Sequence, residues 1–389
     1  MRNTIFIILI TSFSILLTDA AFTYFYKLAN GHLLLTTNKK HRKKSPLFHH
    51  TLSKCSYGLA DQWGRSRSAF MTNSLGFRDQ SNRNIELQHT ADRIVIIGDS
   101  FTEGVGVTYE NSFVGMVDNS KQINSQILNA AVASYSPIIY WRKVKHLIED
   151  VQLKFDHLVV YIDISDIEDE AKNYKLSSSG SVIDKSAKDK KKHNITEPFH
   201  VDCDNYEPFS VKTFLWKYTT LSYFIYDYKR HIKQFEKVRK KREKSNIYRS
   251  TQTEERILKN VLNLDRANWT VADEIMQEYG EVGLENAKQY MNKLANLLKQ
   301  HNIQLTVAVY PWPTQIWHND IDSIQVKFWQ SWANNNNAGF INHFPDFVNK
   351  GSDAEKTNFI KKHYIWGDAH FNKTGHQLIA DKLLNYLSK

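Results

Sequence analysis

Short continuous apolar runs, separated by amphipathic stretches, constrain this chain more than any other feature. Ile94-Val-Ile-Ile97 stands between Arg93 and Gly98. Four apolar residues without alternation suit a strand covered on both faces. Gln126-Ile-Leu128, His157-Leu-Val-Val-Tyr-Ile162, Gln304-Leu-Thr-Val-Ala-Val-Tyr310 and Gly339-Phe-Ile-Asn342 are further strand candidates, and Pro311 and Pro313 close the fourth of the five. Between them, Tyr140–Glu149 is amphipathic, and Glu281–Gln300 sets Ala287, Met291, Leu294 and Leu298 at helical spacing. Gly375–Leu387 repeats that pattern with Leu378, Ile379 and Leu383. Strands alternating with helices predict an α/β fold with a mostly parallel sheet between helices. In such sheets a ligand sits beyond the C-terminal strand ends.

The N-terminus carries a different signal. Arg2 precedes the apolar run Ile5–Leu17, the pattern of a secretory signal. Asp19 interrupts the run and Ala20–Tyr26 resumes it, so Ile5–Tyr26 reads as a span of about 22 residues, enough to cross a bilayer. Residues 1–27 are expected to be an uncleaved signal anchor, with cleavage near Ala20-Ala21 and secretion as the alternative. The cluster Lys39, Lys40, Arg42, Lys43 and Lys44 opposes export, because positive flanks favour the cytoplasmic side. Cys55 and Cys203 are the two cysteines; they allow one disulfide in an exported chain and imply no CxxC site.

Residues 28–90 are polar and mixed, and are expected to form an N-terminal extension to a domain at 91–388. A basic insertion at about 167–260 breaks the strand–helix alternation. Residues 171–250 hold 19 Lys/Arg against 9 Asp/Glu, so this stretch accounts for the chain's formal charge of +10. Lys185–Lys192 reads as a loop, and Phe214, Tyr218, Leu221, Ile225, Tyr228, Ile232 and Phe235 form a heptad-like seam on one helix. Such charge suits a solvated face, a glycan or lipid headgroups; nucleic acid is not an expected partner of an exported domain.

Two segments carry candidate chemistry. Gly98-Asp99-Ser100 ends the first strand, where a serine hydroxyl would project into the crevice above the sheet. Ser100-Phe-Thr-Glu103 also matches a helix capping box, but Gly104 and Gly106 favour a loop, with the helix starting near Tyr109. Near the other end, Asp368-Ala-His370 precedes the last helix, and His370 can take the serine proton while Asp368 orients its ring. His363, His370 and His376 lack a helical pair or nearby cysteines, so neither zinc nor any cofactor is expected.

Together these segments resemble SGNH (GDSL-type) hydrolases of the cell-envelope kind. The resemblance is carried by Asn73-Ser-Leu-Gly-Phe-Arg-Asp79, Ile96–Gly106, Asn129-Ala-Ala-Val-Ala-Ser-Tyr-Ser-Pro137, Asp163-Ile-Ser-Asp166 and Gly367–Ala380. It implies a flavodoxin-like three-layer α/β/α fold and a serine esterase or O-acyltransferase with Ser100 and His370 in its site. It also implies an oxyanion hole from the Ser100 N–H, a backbone N–H at Ser134 and the side chain at Ser165. Ser134 stands where the family has glycine, Ser165 where it has asparagine, and Asp-x-His is tighter than the usual Asp-x-x-His. A slow enzyme, a transferase or a catalytically impaired scaffold protein all fit those departures. The expected substrate is an ester, most simply an O-acetyl group on an envelope glycan, with Trp312, Trp317 and Tyr135 as candidates for stacking on a sugar. Oligomeric state is not legible in the chain.

Overall fold

The structure, a computed structural model, describes residues 2–30, 41–59, 69–88, 91–187, 200–204, 253–348 and 351–389, with single positions 219, 221, 222, 225 and 236. Contacts divide the chain into two units, residues 1–36 with 204–256, and residues 37–203 with 257–389.

In the first unit, α1 (Arg2–Asn30) contains Thr4–Phe25, with mean hydropathy 2.2, which is long and apolar enough to cross a membrane. Asp19, the acidic break in that run, accepts from the backbone N–H groups of Leu221 (2.9 Å) and Ser222 (3.0 Å) and from the Ser222 hydroxyl. A carboxylate in an apolar helix needs such donors. The heptad-like seam lies mostly outside the described residues, as do residues 188–192 of the Lys-rich run.

The second unit is built on one sheet. Its strands are β3 (Tyr57–Leu59), β4 (Ala69–Thr72), β5 (Arg78–Asp79), β6 (Arg93–Ile97), β7 (Gln126–Asn129), β8 (His157–Ile162), β11 (Gln304–Val309) and β12 (Gly339–Asn342). Two hairpins lie outside it, β1 (Arg42–Ser45) with β2 (His49–Leu52) and β9 (Tyr174–Leu176) with β10 (Val182–Asp184). The sheet order is β12-β11-β8-β6-β7-β5-β4-β3. Its five parallel strands, counted along the chain, run 2-1-3-4-5, the flavodoxin-like order. Every residue of β6 and β8 is buried, as their unbroken apolar runs predict. Helix α4 (Pro137–Glu149) packs on α5 (Glu281–Gln300), and α3 (Phe113–Asp118) packs on α6 (Lys373–Leu387).

Two expected boundaries move. Residues 57–59 and 69–79 are not an appendage to a domain beginning at 91. Strands β3–β5 extend the sheet antiparallel from β7, pairing Arg78 with Asn129, which satisfies an edge otherwise left open. Nor does the insertion begin at 167: residues 169–173 form a π-turn against α5, and β10 packs on β2 within the second unit. The separate segment is 204–256. A disulfide joins Cys55 to Cys203.

Candidate active site

The order of the parallel strands reverses between β6 and β8, and in sheets of this kind the loops leaving such neighbours flank the ligand crevice. Gly98 is required there, because a Cβ would run into the Thr102 side chain and approach Tyr161 O to 3.0 Å. Asp99, not Ser100, caps the following single helical turn α2 (Ser100–Glu103), accepting from Phe101 N at 3.0 Å. Gly104, at φ +79°, ends the turn. A 3₁₀ turn at Tyr109–Asn111 then leads into α3, so the helix begins close to where the glycine spacing puts it. Ser100 is thus the first residue of a turn whose opening N–H groups have no partner within the helix. The Arg78 guanidinium holds the exit of this turn, donating to Glu103 O (2.6 Å) and to the Gly104 and Val107 carbonyls.

The structure brings Ser100, His370 and Asp368 together. Ser100 Oγ lies 2.8 Å from His370 Nε2, and His370 Nδ1 lies 2.5 Å from Asp368 Oδ1. The same Asp368 oxygen accepts from His370 N at 2.9 Å, so the tight Asp-x-His spacing locks the ring through its own backbone. Phe101 stacks on the imidazole with centroids 4.7 Å apart. Burial works against a charged His370, but the Asp368 hydrogen bond and charge, with Asp99 and Asp163, outweigh it and raise its pKa above 6.5.

Beneath the serine lie three buried carboxyls that the sequence motifs do not single out as a group, Asp99, Asp163 and Asp166. Ser100 Oγ is also 2.8 Å from Asp99 Oδ2, and Asp99 Oδ1 accepts from Tyr310 OH at 3.1 Å. Trp312 Nε1 donates to Asp163 (2.7 Å), and Tyr140 OH donates to Asp166 (2.7 Å). Burial, then the neighbouring Asp163 charge, pushes Asp99 up to about 7. Burial first, then the charges of Asp99 and Asp163, pushes Asp166 well above the usual carboxylate range. Protein donors already occupy most of these oxygens, which suits proton sharing better than a cation.

The serine has one proton and two acceptors. With His370 protonated, Nε2–H donates to Oγ and the serine proton turns to Asp99; with His370 neutral, Nε2 can take it. If this pair is catalytic, kcat/KM for an ester rises with pH through an acid limb whose midpoint lies above 6.5. Asp368→Asn removes the raising charge, so the limb moves to lower pH while the plateau falls. A pH–rate series on both proteins checks this, and a limb that stays in place in the variant counts against the pairing.

Of the residues implied for an oxyanion hole, Ser134 is exposed in the loop after β7 and adopts φ +65°. It therefore takes a left-handed backbone conformation, open to glycine and uncommon for a residue with a Cβ. Ser165 differs from expectation. Its hydroxyl donates to Asp163 Oδ1 at 2.5 Å, and its single proton is already committed. Of the aromatic candidates for sugar stacking, Tyr135 is fully buried and Trp312 is 6% exposed against Phe101, so neither offers a face; Trp317 is half-buried. His363 Nδ1 lies 2.9 Å from Phe359 O and His376 Nδ1 accepts from Phe113 N at 3.3 Å, so those rings serve packing rather than a shared ligand point with His370.

No protein-family model and no curated protein matches this chain. Solved structures similar to it include a lipolytic protein of the G-D-S-L family from Desulfitobacterium hafniense, 11% identical, covering 75% of this chain and 98% of that one with a TM-score of 0.37. A member of the lipolytic G-D-S-L family from Veillonella parvula is 13% identical and covers 77% and 100%, also at a TM-score of 0.37. A catalytic mutant of an acetylxylan esterase from Geobacillus stearothermophilus is 10% identical and covers 78% and 96% at 0.36. At such identities and scores the likeness decides nothing about chemistry, and the geometry of the crevice has to carry it.

Proposed function

We propose that the protein is a serine-dependent ester hydrolase or O-acyltransferase that forms an acyl-enzyme on Ser100. The observation that carries this is the continuous chain Ser100 Oγ–His370 Nε2 (2.8 Å) and His370 Nδ1–Asp368 Oδ1 (2.5 Å) at the sheet's switch point. His370 takes the Ser100 proton as Oγ attacks the ester carbonyl carbon, and the carbonyl oxygen becomes the oxyanion. The Ser100 and Ser134 N–H groups stabilise it. Collapse expels the alcohol, which leaves with the proton held by His370. Water, or a glycan hydroxyl, then loses its proton to His370 as its oxygen bonds to the acyl carbon; the bond to Ser100 Oγ breaks, and His370 returns that proton to Oγ as the acid or new ester leaves.

The finer reading is an O-acetyl ester of an envelope glycan, handled outside the cytoplasm. The apolar α1 suits a membrane anchor or signal sequence, and a disulfide suits an oxidising compartment. Arg42, part of the basic cluster that opposes export, is paired with Glu103 through two 2.6 Å hydrogen bonds, so one of those charges has a structural use. A second reading, a non-catalytic envelope protein that keeps the fold, draws on Ser165: one side-chain oxyanion donor is worth about 10²–10³ in rate, and this hydroxyl is engaged elsewhere.

The two part on one assay. The full chain in detergent micelles is given p-nitrophenyl acetate, p-nitrophenyl octanoate and a chemically O-acetylated glucan. Faster turnover of the acetyl than the octanoyl ester, with acetate released from the glucan, is the expected result. Hydrolysis of the octanoyl ester alone would remove the acetyl-glycan reading, and no turnover of any of the three would favour the scaffold.

A further inference from the structure

The hairpin β1–β2 follows the apolar helix in sequence and has no part in the chemistry so far, yet it grips the loop after β7. Three hydrogen bonds converge on Ala133 and Ser134. Ala133 N donates to Glu103 Oε2 at 2.7 Å, and Arg42 of β1 holds the same carboxylate through both its oxygens. His50 Nε2 of β2 lies 2.8 Å from Ala133 O, and Tyr174 OH donates to Ser134 O at 2.9 Å. Tyr135 OH returns a bond to His50 O at 2.8 Å, and the two rings meet edge to face with centroids 5.0 Å apart.

Ala133 O and the Ser134 N–H belong to one peptide unit. That unit is planar and trans, so its C=O and N–H point in opposite directions, and anchoring one end aims the other. Resting on the reading of Ser134 N–H as an oxyanion donor, we infer that His50 is a positioning residue that aims this N–H by donating to the carbonyl of the same peptide.

The proton arrangement is consistent with that task. A carbonyl cannot donate, so Nε2 of His50 must carry hydrogen. Burial first, then neighbouring positive groups, lowers the His50 pKa to about 4, so the ring is neutral and its Nδ1 is an acceptor. His50 Nδ1 faces His49 Nδ1 at 2.7 Å, and His49 therefore supplies the proton between them. His49 Nε2 lies 3.0 Å from Asp184 Oδ1, so the far side of the His49 ring is engaged as well. The relay Asp184–His49–His50 fixes the one tautomer of His50 that can hold the carbonyl. Holding Ser134 at positive φ, where serine is uncommon, is a further use for the clamp.

The test uses the full chain with p-nitrophenyl acetate and a trifluoromethyl ketone as a mimic of the tetrahedral adduct. His50→Ala is expected to lower kcat about 10–100-fold with KM nearly unchanged, the usual size for loss of an orienting contact. Affinity for the ketone should fall by the same factor, because only a donor used in the tetrahedral state links the two. His50→Gln, whose amide can donate to Ala133 O, should recover most of both. A purely structural role would instead lower the amount of active protein at unchanged kcat per labelled serine. Unchanged kcat and ketone affinity in His50→Ala would overturn the clamp and leave Ser100 as nucleophile. Absence of Ser100-dependent turnover in the wild type would overturn both.

Discussion

Ser100→Ala is expected to abolish covalent labelling by a fluorophosphonate probe and to lower kcat for p-nitrophenyl acetate by about 10⁵–10⁶, the scale seen when a catalytic serine is removed from an acting unit. The argument is one of interdependence. His370 Nε2 lies within reach of the Ser100 proton and Asp368 holds the ring, but neither forms a bond to carbon. Without Oγ the site retains only binding and electrostatics. The fold should survive the change. Ser100 is half-exposed, and Asp99 keeps Phe101 N and Tyr310 OH as donors, so the loss of stability should be about 1–2 kcal/mol at most. Equal labelling of wild type and variant would mean that another residue reacts, and the assignment of Ser100 would fall.

Loss of the Cys55–Cys203 bond should produce the largest change in stability. The bridge spans a sequence separation of 148 residues. Loop-closure entropy for a ring of that size gives about 5 kcal/mol, with measured losses for native disulfides commonly about 2–5 kcal/mol. The enclosed chain includes β6, α2 and the Ala133–Ser134 loop, so opening it frees the nucleophile's own segment in the unfolded state. In the folded state the bridge ties residues 200–203 to Cys55, and hydrogen bonds add a second attachment, with Cys203 N donating to Asn84 Oδ1 (2.7 Å) and His200 Nε2 sitting 3.0 Å from Ile85 O. Cys55→Ser/Cys203→Ser, and reduced wild type, should both melt on the order of 10 °C lower. A double variant with the melting temperature of the oxidised wild type would show that the tether contributes nothing.

The two results bear on different claims. Labelling speaks to the chemistry of the crevice, and melting speaks to the compartment for which the chain is built, since such a bond persists where thiols are oxidised. Either outcome stands without the other.

Several elements were legible along the chain because their signals are local. A strand buried on both faces needs an unbroken apolar run, and Ile94–Ile97, His157–Ile162 and Gln304–Val309 are such runs. A backbone that turns sharply at a strand end needs glycine, and Gly98 marks the turn that carries Ser100. The resemblance of the two terminal blocks paired Ser100 with His370 across 270 residues, a pairing no local pattern contains. It also set Ser134 at a position where the family has glycine, without saying whether serine takes up a glycine's backbone; φ +65° answers that.

Other features exist only once the chain is folded. That β3–β5 belong to the main sheet depends on β7 presenting an unpaired edge, and residues 57–79 alone are too short and mixed to announce it. The carboxyls of Asp99, Asp163 and Asp166 come from two strand ends, and the raised pKa values of Asp99 and Asp166 arise from burial within that group rather than from residue type. The commitment of the Ser165 hydroxyl to Asp163 and the grip of Arg42 and His50 on Glu103 and Ala133 likewise depend on distances that composition does not encode. Sequence by itself determined the layered α/β architecture and which side chains could react, because both follow from local patterning and residue chemistry. Tertiary structure alone decided which further groups surround the Ser100–His370 pair, how burial shifts their protonation, and what holds them, because hydrogen bonding and desolvation act over a few ångströms of space, however far apart the partners lie along the chain.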